Sequence, residues 1–328
     1  MHPPTIAYLF FTATVMLACE PQQQLVIREA ASLQQVGKVA EAQQLLLRLT
    51  SMLEHEGSAG QSCLAVVLNN LGSISQDLGR YHAAEQFYSR ALRIEELQSS
   101  VDVDISATLD NLGSVYFETG RYREAESVRL KALNLRIAKL GPHHPAVARI
   151  IQNLATQRYT QGRLDEATEL YRRALAIWRA SGLEDTAECA TVFNGLGLMY
   201  AKAGDLDQAV AHVRRALDIW VRSSGVSVSA ARAEANLAVL SAARGDAKAA
   251  EVHWRSAVTT AEQSTGSQTA ITRDLLYRFM IFLRSMRRTT EARNVQARID
   301  KIDRIGVDPS FKAAIIDITE LEKRRSKR

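Results

Sequence analysis

An all-α solenoid of stacked helical hairpins is the fold class this sequence predicts, on three observations. A glycine followed five residues later by an alanine recurs as Gly37/Ala42, Gly79/Ala84, Gly120/Ala125, Gly162/Ala167, Gly204/Ala209 and Gly245/Ala250; a seventh copy keeps Ala292 but has Arg287 in the glycine's place. These anchors are spaced by 42, 41, 42, 42, 41 and 42 residues, a period that belongs to repeat architectures. The composition is rich in Ala, Leu, Arg, Gln and Glu with only 6% aromatic residues, which favours helix over strand. No Gly/Ser-rich or Pro-rich linker interrupts the 328 residues, so a continuous architecture is expected.

The elements follow in chain order. Residues 1–20 read MHPPTIAYLFFTATVMLACE, and Ile6 to Ala18 is an apolar run without a charge. That run is short for a membrane span, which needs about 20 residues, and suits the apolar region of a signal peptide. The segment Met16 to Cys19 resembles a bacterial lipoprotein cleavage box only at Ala18 and Cys19, because Met16 and Leu17 depart from the pattern and no Lys or Arg precedes the run. Export or membrane association in a bacterium, with lipid attachment at Cys19 as one form of it, is the expectation; a cytoplasmic protein with an apolar N-terminal helix is the alternative.

Residues 22–305 carry the repeats. Eight residues before the glycine stands Leu71, Leu112, Leu154, Leu196 or Leu237, followed by a small residue: Gly72, Gly113, Ala155, Gly197 or Ala238. The glycine suits a helix C-terminus, where a positive φ is needed. A second helix then carries the anchoring alanine, a bulky residue four later (Tyr88, Tyr171, Val213, Trp254) and another alanine (Ala91, Ala132, Ala174, Ala216, Ala257). Small residues at fixed places let the two helices cross closely while large ones fill the space beside them. One hairpin cannot bury its apolar face alone, so neighbours must stack. Asp308-Pro309 then starts a further helix with an apolar stripe of Phe311, Ala314, Ile315, Ile318 and Leu321, expected to cap the stack. The last six residues, KRRSKR, hold five of the basic groups behind the net charge of +5 and read as a solvated tail.

The pattern Leu112, Gly113, Tyr116, Gly120, Ala125 and Ala132 resembles the tetratricopeptide repeat. The 42-residue period and the connector Lys139 to Ala148, KLGPHHPAVA, resemble the longer repeat of kinesin light chains and their bacterial relatives. The resemblance implies a right-handed superhelical solenoid of seven repeats plus the capping helix. It weakens in the first repeat, where Glu29 takes the leucine's place, and in the last, at Arg287. It also implies a protein or peptide ligand held in a concave groove lined by first helices, with contacts from the position just before the leucine. Here that position holds Asn70, Asn111, Asn153 and Asn236, with Gly195 interrupting the series and Asn194 one place earlier. An amide both donates and accepts, so it can pair with a peptide backbone of any sequence; the same amides could instead bond neighbouring helices. Further groove positions are Asp77, Asp110 and Glu118 in the N-terminal half and Arg149, Lys202, Arg232, Arg278 and Arg284 in the C-terminal half. Those cations suit a carboxylate or an acidic side chain. The carboxylate clamp of co-chaperones is not reproduced.

No phosphate loop, HExxH or nucleophile elbow is present, so no catalytic residue, cofactor or metal site is assigned. His143-His144 belongs to the connector. Trp178 and Trp220 share one register late in the second helix and read as packing. The body has no basic stripe with interleaved aromatics, and nucleic acid is not expected. Cys63 and Cys189 fall in one register three repeats apart, too far for a disulfide, and both read as packing or surface thiols. The functional expectation is a non-enzymatic scaffold or adaptor that binds a peptide or partner protein, acidic where the arginines engage it. The alternative is a membrane-anchored structural or sensor subunit that assembles through its convex face.

Overall fold

The computed structural model of the chain describes residues 19–35, 38–98 and 105–306. The leader, the capping helix over 308–321 and the basic tail lie outside the described residues. The chain forms two compact units that divide between Pro142 and His143, inside the connector. The first unit holds three hairpins: α1 (Pro21–Gln35) with α2 (Val39–His55), α3 (Gln61–Asp77) with α4 (Tyr81–Leu97), and α5 (Ser106–Glu118) with α6 (Tyr122–Leu140). The second holds four: α7 (Pro145–Thr160) with α8 (Leu164–Ala180), α9 (Ala187–Ala203) with α10 (Leu206–Ser224), α11 (Val228–Ala243) with α12 (Ala247–Thr265), and α13 (Ala270–Ser285) with α14 (Thr289–Asp303). Within each unit the helices of a hairpin pack on each other, and the second helix packs on the first helix of the next hairpin. No helix among the described residues is long and apolar enough to cross a membrane.

Gly37 lies outside the described residues; in the hairpins that follow, the turn obeys one backbone requirement. Gly79, Gly120, Gly162, Gly204 and Gly245 have φ between 70° and 87°. The residue after each donates its N–H to the carbonyl five residues back, as in Arg80 N to Ser75 O at 2.8 Å and Asp246 N to Ser241 O at 2.9 Å. These bonds satisfy carbonyls that the helix end leaves open. The last hairpin makes the same turn without the glycine: Arg287 takes φ 59°, and Arg288 N bonds Leu283 O at 3.0 Å.

The crossing of the two helices is as tight as the small residues suggest. A methyl group placed on Gly72 would lie 2.5 Å from the Tyr88 ring, and one on Gly197 would lie 2.5 Å from Cγ2 of Val213. The anchoring alanines are buried in every hairpin, and so are Ala91, Ala132, Ala174, Ala216 and Ala257. Trp178, Trp220 and Trp254 are buried as well. In the third hairpin the bulky position holds Arg129, whose Cγ occupies the space over Gly113. His144 caps α7, its Nδ1 accepting from Ala146 N at 3.1 Å.

One reading of the cysteines needs correction. Cys63 does not pair with Cys189, but it is no free thiol: it forms a disulfide with Cys19. Cys189 is a buried free thiol, and burial pushes its pKa up to about 12.

Two substitutions test the turn and the crossing by urea unfolding of the whole chain. Arg287→Gly relieves left-handed strain of about 1–2 kcal/mol, partly offset by a freer unfolded chain, and should stabilise by about 0.5–1 kcal/mol. Gly72→Ala forces the buried Tyr88 ring aside and should destabilise by about 1–3 kcal/mol. A neutral Gly72→Ala would mean that the crossing is not limited by that contact.

Candidate functional site

The first helices of each unit carry the residues singled out for binding. In the first unit these helices are α1, α3 and α5. Asn70 is buried, and its Nδ2 donates to Val66 O of its own helix at 3.0 Å. Asn111 is half-buried. The neighbouring Asn69 makes the cross-hairpin contact: its Nδ2 lies 2.9 Å from Thr108 Oγ1 on α5 and 3.2 Å from Glu95 Oε1 on α4. Thr108 Oγ1 in turn donates to Glu95 Oε1 at 3.0 Å. Three helices are thus tied by one polar triangle.

Asp110 is not the solvated groove charge the sequence suggested. It is buried and pairs with Arg129, Nε to Oδ1 at 3.8 Å. Arg129 also donates to Ser114 Oγ at 3.3 Å and lies over the Phe117 ring, 5.5 Å from its centroid. Burial pushes the guanidinium pKa down, with Asp110 and Glu118 acting against it. Glu118 itself is exposed at the end of α5.

In the second unit the first helices are α7, α9, α11 and α13. Asn236 on α11 has no exposed surface, and its Nδ2 donates to Asn194 Oδ1 on α9 at 3.0 Å. In this conformation Asn236 therefore ties two hairpins together, the alternative left open for these amides. Asn153 and Asn194 are half-buried, as are Arg149, Arg232 and Lys202. The Lys202 ammonium lies 5.0 Å from the centroid of Tyr159 on α7, a cation–π distance. Arg278 is engaged by Asp274 on its own helix at 2.9 Å. Arg284 is exposed and reaches Gln296 Oε1 at 3.5 Å. Glu234 on α11 meets His253 of α12, Oε2 to Nδ1 at 2.6 Å.

The reading by repeat position singled out Asp110 and Asn194 but not the polar row to which they belong. Asn69, Asp110, Gln152 and Asn194 stand two places before the leucine, 41 or 42 residues apart, and this row supplies Asn69, Asp110 and Asn194 to the contacts above. The signal was present as four successive polar residues at the repeat period, a row that ends at Ala235.

Asp77, the last residue of α3, accepts from Gln34 Nε2 of α1 at 2.6 Å. Burial pushes its pKa up to about 7, while the hydrogen bond from Gln34 acts in the opposite direction. Because the folded value lies above the ordinary one, Asp77 favours folding most at low pH. That contribution fades as pH rises from about 4 towards about 7. Asp77→Asn should leave urea stability unchanged at pH 4 and raise it at pH 8 by about 1–2 kcal/mol. Equal stability of the two proteins at both pH values would refute this assignment.

Comparison with known proteins agrees with this architecture. A tetratricopeptide repeat model matches residues 104–180, 150–222 and 188–263, and a second tetratricopeptide repeat model matches residues 65–96. No curated protein matches the chain at a significant level. Among solved structures, the quorum sensor NprR from B. thuringiensis in its apo form is similar at 13% identity and a TM-score of 0.68, over 86% of this chain and 76% of that one. The apo form of RapI is similar at 12% identity and a TM-score of 0.62, over 86% of this chain and 98% of that one. BtubC (BKLC) from P. vanneervenii is similar at 22% identity and a TM-score of 0.55, over 74% of this chain and 92% of that one. With more than half of its residues matched by tetratricopeptide models and every described hairpin built to one plan, the chain belongs to the tetratricopeptide repeat family.

Proposed function

We propose that this protein is a non-catalytic scaffold that holds an acidic peptide segment of a partner protein against the first-helix face of the unit formed by residues 143–306. The observation that carries this reading is the half-exposed set Arg149, Asn153, Asn194, Lys202 and Arg232, all on the first helices of that one unit. Tetratricopeptide repeats are in general interaction modules, which supports a binding role. The apo forms of a quorum sensor and of RapI share the fold, and the fold alone is what that likeness supplies.

The mechanism needs no covalent step. Guanidinium groups present planar pairs of N–H donors to a carboxylate, and an ammonium serves as a point charge. The half-buried amide of Asn153 can meet backbone N–H and C=O groups without regard to sequence, and Asn194, whose Oδ1 accepts from Asn236, can offer its Nδ2 to a backbone C=O. Charge would then set the partner's class and its rate of arrival more than its final affinity. Asn236 is assigned to the scaffold rather than to the ligand, because its amide is spent on Asn194. The first-helix face of the other unit is less suited to an acidic ligand, since Glu118 is exposed at the end of α5.

The test is peptide display against the full chain and against the triple variant Arg149→Glu, Lys202→Glu, Arg232→Glu. Selected peptides should be enriched in Asp and Glu relative to the library. They should bind the triple variant at least about tenfold more weakly and weaken as salt is raised. Selection of neutral or basic peptides, or equal binding to the variant, contradicts the proposal.

A further inference from the structure

The disulfide between Cys19 and Cys63 spans 44 residues of sequence, with Cα atoms 4.7 Å apart. Both cysteines are buried, Cys19 at 7% and Cys63 at 1% exposure, in the apolar cluster with Ile27, Leu46, Leu64 and Leu68. The backbone around Cys19 is held in place: Gln24 Nε2 donates to the Cys19 carbonyl at 2.8 Å, and Glu20 N donates to Gln23 Oε1 at 2.9 Å. Gln23 reaches on to Glu56 beyond the end of α2, Nε2 to Oε2 at 3.3 Å. The bridge joins the foot of α1 to the first turn of α3. At the opposite ends of the same two helices, Gln34 bonds Asp77. The first described helix is therefore pinned to the second hairpin at both ends, covalently at one. Leu25 on α1 remains 65% exposed, so the helix is covered incompletely. Local opening is governed by how a helix is held to its neighbours, and a cross-link from the foot of α1 to α3 opposes it.

We infer that Cys19–Cys63 is a structural staple formed in an oxidising compartment, and that Cys19 is consequently not a lipid-bearing cysteine. A thioether to a lipid and a bond to Cys63 require the same Sγ, so one sulfur cannot carry both. A lipid-bearing cysteine must also reach the bilayer, whereas Cys19 is enclosed by the α1–α3 core. Forming the bridge removes two protons and two electrons from the two thiols. The acceptor is a protein disulfide oxidant of that compartment, whose own disulfide is reduced to a dithiol. Such bridges persist outside reducing cytosol, and burial shields this one from exchange with solvent thiols.

The experiment uses the full chain made in a host that exports it. The protein is quenched in acid, alkylated in denaturant without reductant and analysed by mass spectrometry. One modified thiol, Cys189, is expected, with the Cys19 and Cys63 peptides linked and no acyl group on Cys19; after reduction all three cysteines should be modified. Alkylated Cys19 and Cys63 in the unreduced sample, or an acylated Cys19 peptide, would overturn the inference. The staple's role is read separately by amide hydrogen exchange on native protein. Cys63→Ser should speed exchange across residues 21–35 by about tenfold or more and leave residues 228–265 unchanged, while Cys189→Ser should leave residues 21–35 unchanged. Unchanged exchange at residues 21–35 in Cys63→Ser would show that the bridge holds nothing in place.

Discussion

The close crossing of two helices within each hairpin is the constraint on which the rest depends. A missing Cβ at Gly72 or Gly197 gives Tyr88 or Val213 its space, and fully buried alanines on the second helix bring the backbones together. Interiors are packed at near-crystalline density, so such a contact has little room to relax. Because the small and large residues recur every 41 or 42 residues, successive hairpins within each unit meet through the second helix of one and the first helix of the next. The result in each unit is a row of first helices whose outward positions can vary without disturbing the packing behind them.

A second layer of interactions ties hairpin to hairpin, and it is polar. Thr108 with Asn69 and Glu95, and Asn236 with Asn194, are contacts between successive repeats. At the turn edge, Arg121 bridges Glu124 of its own helix and Glu85 of the preceding hairpin, at 2.5 and 2.8 Å. Arg288 pairs with Glu291 and Glu251 in the same manner. Exposed ion pairs of this kind contribute little each; their value lies in fixing which side chains of adjacent hairpins face one another. Arg129 is the departure from the common plan. In the place of Tyr88, Tyr171 and Trp254 it is enclosed with Asp110, and removing either partner would leave a buried charge uncompensated.

The hairpins were legible in the sequence because their determinants are local and repeated. The anchor glycines from Gly79 to Gly245 have positive φ, and even Arg287, written in the glycine's place, has the same backbone. The candidate site was legible in its location but only partly in its roles. An asparagine amide serves equally well for a ligand backbone or for a neighbouring helix, and a rotation of about 100° per residue moves a position from outward to inward. That is why Asp110 reads as a groove charge yet lies inside, and why Asn69 acts where Asn70 was expected to. The Cys19–Cys63 bridge was hidden for a different reason. Cys63 has a place in the repeat register, matched by Cys189, while Cys19 precedes the first helix and has none, so periodicity offers no partner for it.

Recognition by the first helices of the 143–306 unit is the central functional claim, and a hydrogen-exchange footprint tests it most directly. With an acidic peptide from the display bound, protection should concentrate on α7, α9 and α11, around Arg149, Lys202 and Arg232. Protection confined to α8, α10 and α12 would place the ligand on the second helices and contradict the account.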